Sequence, residues 1–142
     1  MASVFTRIIE GEIPGRFVWR DDRVVAFLTA GPITPGHTLV VPIVEIDHWL
    51  DLDDDLATHL TLVAKKVGRA QKAAFSPLRV GMIIAGLEVP HCHMHVLPID
   101  DMDDLSFANV DPDPDSEVLD DAADRIRAAL HAQGDGAQVP AG

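Results

Sequence analysis

The run His91-Cys92-His93-Met94-His95 sets three imidazoles at every second position, with apolar residues between them and Val96-Leu97-Pro98-Ile99 after them. That alternation predicts a β-strand. Successive side chains on a strand point to opposite faces, so His91, His93 and His95 share one face, and Cys92, Met94 and Val96 take the other, toward a core. Imidazole changes protonation near neutral pH more readily than any other side chain. A row of three is therefore a place to look for chemistry.

Three readings of the row compete. In the plainest, these are solvated histidines on a half-exposed strand. In the second they bind a metal. Alternate residues on a strand lie ~6.6 Å apart at Cα, so two imidazoles can converge on one zinc, whose ligand bonds are ~2 Å. The outer pair lies ~13 Å apart. A closed site would thus need a further donor, such as His37, His48 or Glu88. In the third reading a neutral imidazole attacks phosphorus and later departs, splitting one displacement into two easier steps. Its neighbours hold the tautomer and stabilise the phosphoryl oxygens. Ala85-Gly86 ahead of the row leaves room for a phosphate near the backbone, and the substrate is then a phosphate ester or phosphoramidate.

The elements around the row must position it. A chain of 142 residues, 47% apolar, suits one folded domain. The net charge of −12 argues against nucleic-acid polymers and anionic membranes as partners, while leaving room for a small anionic substrate. No apolar run approaches a membrane span, no basic-then-apolar leader opens the chain, and one cysteine forms no internal disulfide, so the cytoplasm is expected. Ser3 is placed to cap a short helix reaching Gly11, with Phe5, Ile8 and Ile9 on its buried side. Residues 17–19 and 24–28 read as a hairpin turning at Asp21-Asp22, and residues 37–42 as a third strand. The acidic run 51–55 caps a long helix carrying Leu56, Leu60, Val63, Val67, Ala70 and Ala74 on one face, which Ser76-Pro77 stops. Residues 80–85 form a fourth, buried strand before the histidines. After an acidic loop at 100–115, Ser116 caps a last helix with Val118, Leu119, Ala122, Ile126 and Leu130 inside. The pattern is an α+β domain over residues 1–133, its core at 3–99, with a frayed tail at 134–142.

The histidine run resembles the His-x-His-x-His-x-x motif, with x apolar, of the histidine triad superfamily. The likeness extends in order over about residues 3–99. It takes in Phe5-Thr6-Arg7-Ile8-Ile9-Glu10-Gly11-Glu12-Ile13-Pro14, then Val24-Val25-Ala26-Phe27-Leu28, Pro35-Gly36-His37-Thr38-Leu39-Val40-Val41-Pro42 and Ala85-Gly86. It is strongest to the small bacterial proteins of the Hint branch, in particular a mycobacterial-type subgroup. The resemblance implies a five-stranded antiparallel sheet with two main helices and a C-terminal helix. It also implies a homodimer whose sheets join, and attack on the α-phosphorus of a nucleotide through a covalent nucleotidyl-histidine. By motif position His93 is the nucleophile. His95, His91 and His37 orient it and bind phosphate. Phe5, Ile8, Phe27 and Leu28 line the base pocket or, on their apolar character alone, belong to the core.

Four departures bear on the substrate. Thr29 stands where the family often has a ribose-binding aspartate, and Leu87 where it has glutamine after Ala85-Gly86. Val80 stands at an asparagine position. Glu88 replaces a serine that assists the leaving group, and in an extended segment it would point away from the histidines while Leu87 and Val89 lie on their face. Thr29, Gly86 and Leu87 are nonetheless expected to border the nucleotide. Many bacterial relatives hold zinc with two N-terminal cysteines and two histidines. Those cysteine positions are Ser3 and Thr6 here, with His48 and His91 kept, so no bound metal and no cofactor are expected. Cys92 is expected to be a buried, unreactive thiol. His59 and His131 are read as structural or solvated. Two rivals remain, a non-catalytic nucleotide-binding or interaction module and a metal-dependent enzyme built on the histidine row.

Overall fold

The computed structural model describes residues 2–141. Helix α1 spans Val4–Ile9, followed by β1 (Phe17–Arg20), β2 (Val24–Leu28), β3 (Thr38–Pro42), α2 (Asp54–Phe75), β4 (Arg79–Ile83), β5 (Met94–Ile99) and α3 (Ser116–Ala132). The strands form one antiparallel five-stranded sheet in the order β1-β2-β3-β5-β4. The fold is α+β, as the sequence pattern anticipates.

Strands β2 and β3 are buried along their whole length because both faces of the sheet are covered. On one face Val24, Ala26, Leu28, Val40, Met94 and Val96 meet Leu60, Val63 and Val67 of α2 and Ile126 and Leu130 of α3. On the other, Val25, Phe27, Leu39 and Val41 meet Phe5 and Ile9 of α1. Alternation along β5 puts Met94 and Val96 on the α2 face, so His95 lies on the α1 face, paired with Leu39 of β3 and Ile83 of β4.

The caps explain where the helices start. Ser3 accepts the Thr6 amide, and the Asp53 carboxylate accepts the Leu56 amide at 2.7 Å. Helix α2 ends at Ser76, in the left-handed region at φ 51°. The last helix is capped one residue earlier than expected, by Asp115. The Ser116 hydroxyl instead accepts a hydrogen bond from Arg16, whose guanidinium also binds Asp120. Val118 is exposed rather than inside, because that position turns toward solvent once Leu119, Ala122 and Ile126 face the sheet.

Two expectations about burial and order are corrected. Strand β4 is a sheet edge, with Arg79 and Met82 exposed and the rest half-buried, so its apolar composition does not mark a central strand. The tail folds back instead of fraying. Gly136–Gln138 form a 3-10 turn, the Lys66 ammonium binds the Asp135 carboxylate at 2.9 Å, the Gln133 amide donates to the Lys66 carbonyl, and Val139 packs against the main core. A charged anchor on α2 and one apolar contact offset the ordering of this short segment. His59 is structural, as read: its Nε2 lies 2.7 Å from Asp21, which also accepts the Trp19 indole N–H.

Candidate active site

The histidine run is only partly strand. Regular pairing begins at Met94, and His91, Cys92 and His93 arrive through an irregular approach. The alternation still holds, because Cys92 is anchored by its amide to the Ile46 carbonyl at 2.7 Å and buries its thiol in the α2 core. Burial pushes that thiol up to about 11, with the nearby Asp47 charge adding to the effect, so it stays protonated and inert as expected.

Backbone partners set each imidazole's tautomer. The His91 ring, fully buried, lies 2.7 Å from the Pro42 carbonyl through Nε2. A carbonyl only accepts, so Nε2 carries the proton and Nδ1 accepts from the Ser3 hydroxyl at 2.8 Å. His93 places Nδ1 2.8 Å from the His91 carbonyl, so its proton sits there and the Nε2 lone pair is free. His37 Nδ1 accepts from the Ile33 amide, so its Nε2–H donates to His95 Nδ1 at 2.9 Å. His95 is left with a proton on Nε2. The result is one imidazole with an available lone pair, His93, beside one with an available N–H, His95. Their ring centroids are 4.9 Å apart.

Burial keeps His37, His93 and His95 neutral. Burial pulls His37 down to about 3 and His95 down to about 4, each helped by a neighbouring imidazole. His93 is also lowered, chiefly by burial, against a partial rise from its bond to the His91 carbonyl. A neutral imidazole is what nucleophilic attack requires.

Phe5 braces His93 edge-on, at 4.8 Å between centroids, and Phe107 braces His95 at 4.9 Å. Phe107 comes from a 3-10 turn at Phe107–Asn109 in the acidic loop. Sequence pattern shows only an acidic loop at 100–115, and the one signal in it is an aromatic residue within so acidic a stretch. Gln71 is likewise not singled out by pattern. It is a fully buried polar residue in the apolar stripe of α2, and its side-chain N–H groups bind the Gly36 and Val96 carbonyls, tying the approach to His37 to β5. Gly36, at φ +91°, lies so close to the Phe75 ring that a Cβ would meet it at 2.5 Å.

Of the expected residues, His37, His91, His93, His95 and Phe5 converge. Gly86 and Leu87 border two cavities that both reach His93, with Leu87 93% exposed. Phe27 packs beneath Phe5 at 5.7 Å, and Ile8 lies half-buried on the same cluster. Leu28 does not join them. It faces α2 on the opposite side of the sheet, because it follows Phe27 by one residue. Thr29 holds the Gly31 amide with its hydroxyl and the His37 carbonyl with its own amide, just past β2. Val80 packs against the α2-side core, close to Gly68, so its apolar character is met by packing. Glu88 corrects the extended-segment expectation. Residues 87–91 bend instead of running straight, so alternation fails there, and Glu88 lines the cavity shared by His93, His95 and Phe107.

The positions of Ser3 and Thr6 bear on a structural zinc at this site. Both hydroxyls are hydrogen-bonded, Ser3 to His91 and Thr6 to Glu45 at 2.7 Å, and His48 Nδ1 accepts the Leu50 amide. Neutral hydroxyls in place of thiolates do not fit a structural zinc. Among the described residues, no group of three or more His, Cys, Asp or Glu is arranged to hold a metal.

Comparison with known proteins agrees with this geometry. The HIT domain family matches residues 10–102. An uncharacterized HIT-like protein of Saccharolobus solfataricus is 38% identical over 100 residues, covering 67% of this chain and 72% of that one. The structure of a zinc-bound histidine triad family protein from Mycobacterium smegmatis superposes with a TM-score of 0.80 at 30% identity, over 97% of this chain and 99% of that one. A hypothetical histidine triad nucleotide-binding protein of Sulfolobus tokodaii gives a TM-score of 0.79 at 29% identity, over 90% and 91%.

Proposed function

The chain belongs to the HIT domain family, and from that footing we propose that it is a nucleotide hydrolase or nucleotidyl transferase in which His93 attacks the α-phosphorus of a nucleoside phosphoramidate or related nucleotide. The observation that carries this reading is the paired tautomer state. His93 is held with Nδ1–H on the His91 carbonyl and its Nε2 lone pair free, while His95 offers an N–H beside it. In the first step the His93 Nε2–P bond forms and the P–N bond breaks. The departing nitrogen takes a proton from water at the open side and leaves as an amine. The His91 carbonyl stabilises the cationic imidazole of the covalent nucleotidyl-histidine through Nδ1–H. Water then attacks phosphorus, the Nε2–P bond breaks, a proton returns to solvent, and a nucleoside monophosphate is released. His95 Nε2–H binds a phosphoryl oxygen as charge develops there, and His37 holds it in that tautomer. No step calls on a metal.

Ile8 is half-buried on the α1-side apolar cluster, as are Phe17, Ile43 and Val89, and it is the one placed to meet a base in this reading, with Phe5 and Phe27 as its backing. The Thr29 hydroxyl supplies a neutral contact to the ribose. A homodimer is part of the same reading. Its support is the free edge of β4, where Met82 is 51% exposed and the adjacent Leu78 66% exposed. No helix among the described residues is long and apolar enough to cross a membrane, and a cytoplasmic setting suits a nucleotide substrate.

The test is AMP release from adenosine 5′-phosphoramidate in excess chelator, beside His93→Ala. Release by the native protein and none by a folded His93→Ala variant is expected. Equal release by both would end the assignment, and tight nucleotide binding without turnover would make the protein a binding module.

A further inference from the structure

Two cavities flank His93, and Ala85, Gly86 and Leu87 line both of them. One, of about 200 Å³, is lined by Asp47, His48, Trp49 and Cys92 together with His93. The other, of about 110 Å³, is lined by Glu88, His95 and Phe107 together with His93. Each therefore sets one carboxylate and one partly exposed aromatic ring beside the same imidazole. Trp49 is 45% exposed and Phe107 38%. Among the described residues, no lysine or arginine lines either cavity. Lys65, Lys66 and Arg69 gather instead around a separate hollow against Gln133 and Asp135.

The charge pattern has a chemical consequence. The α-phosphate of a substrate is met by neutral imidazoles and backbone groups at His93. The two flanking spaces are the ones beside His93 that can receive a departing group, and each holds a carboxylate with no lysine or arginine among the described residues to offset it. The other ionisable side chains in the Asp47 cavity are His48, Cys92 and His93. A phosphate or carboxylate there would be repelled, whereas a neutral or cationic group would be tolerated or attracted, with an aromatic surface to rest on.

We propose that Glu88, with Asp47 on the other side, sets leaving-group specificity by turning away anionic leaving groups from the two cavities around His93. The proposal rests on the His93 reading above and deepens it. The substrates it selects are nucleoside phosphoramidates whose departing amine is neutral or cationic. The Glu88 charge also reaches His93 itself, opposing the downward push of burial on that imidazole. Both carboxylates are exposed, so their effect is screened by salt and is expected to be about tenfold and not larger.

The experiment uses three adenosine 5′-phosphoramidates of matched length, made with propylamine, 1,3-diaminopropane and 3-aminopropanoate. Their departing ends are neutral, cationic and anionic. AMP release gives kcat/KM for each at low and high salt, in the native protein, Glu88→Gln and Asp47→Asn. The native protein at low salt is expected to favour the cationic over the anionic amide by about tenfold. Glu88→Gln and high salt should each compress that ratio to within about threefold. A native ratio near one would overturn the proposal while leaving His93 catalysis in place. So would a ratio unchanged in both variants. Failure to turn over any of the three amides would remove the functional reading and this inference with it.

Discussion

The two faces of the sheet do different work. The face under α2 and α3 is a continuous apolar layer in which Leu60, Val63, Ile126 and Leu130 close over the strands. The face under α1 is covered by a six-residue helix, and its apolar cluster gives way to His91, His93, His95 and His37 where that helix runs out. Polar groups on the first face are few and serve packing. On the second they are linked to one another and to backbone carbonyls. Stability is thus concentrated on one side of the sheet and reactivity on the other, with β5 shared between them: Met94 and Val96 point one way, His95 the other.

If that division holds, substitutions on the two faces should separate in their effects. The largest stability loss is expected from Leu60→Ala, which empties a nearly inaccessible site in the α2 layer and should cost about 2–5 kcal/mol in denaturant unfolding. Turnover per folded molecule should be unchanged, and a parallel loss of both would break the comparison. His93→Ala should do the reverse, ending turnover while moving the unfolding midpoint little.

Ser3→Ala should be intermediate. Ser3 caps α1 and supplies the 2.8 Å hydrogen bond to His91 Nδ1, so its loss removes a cap and leaves that buried acceptor only the longer contact to the Thr6 hydroxyl at 3.4 Å. Chemical denaturation should show a cost of about 1–3 kcal/mol. Turnover should fall as well, because the His91 carbonyl that holds His93 moves with its ring. A cost with no kinetic effect would confine Ser3 to the scaffold.

The pH dependence gives the smallest but sharpest separation. His37 and His95 are held well below the free imidazole value of 6.5, at about 3 and about 4, so their neutral forms are favoured on folding. Below pH 6.5 the unfolded chain binds protons that the folded one refuses. Their contribution is therefore fully present above that pH, and is lost as pH falls through it toward the folded values. Urea titrations from pH 7 to pH 4 should show stability declining on the acid side, with a smaller slope in a His37→Asn, His95→Asn double variant. The acid limb of kcat/KM should likewise lie below pH 6.5, since burial lowers His93 too. An acid limb at or above that pH would mean His93 is solvated during turnover.

Much of this was readable in the chain. Period-two and period-3.6 patterns placed the strands and helices. The spacing of His91, His93 and His95 marked a site, and the resemblance pointed to His37 as its fourth member. The failures share a cause. Sequence pattern reports which residues are apolar and how they alternate, but it does not report neighbours distant in the chain. Strand β4 looked buried because its residues are apolar, and only the strand order made it an edge. The resemblance put Leu28 with Phe27 at the base pocket, with the core as the alternative, and the core is where it lies, since adjacent strand residues face opposite ways. Glu88 was turned away by assuming an extended segment that the bend at 87–91 removes.

The sequence by itself determined the class of fold, the histidine row and the side of the strand that carries it, because alternation and apolar periodicity are local properties of a chain. Tertiary structure alone decided which imidazole has a free lone pair. That choice depends on the Ile33 amide and on the Pro42 and His91 carbonyls being brought within hydrogen-bond reach, and on the burial that keeps the rings neutral. It also decided that Phe107, Glu88 and Asp47 surround the site. They come from three separate loops, and only closure of the sheet brings those loops to the same end of β5.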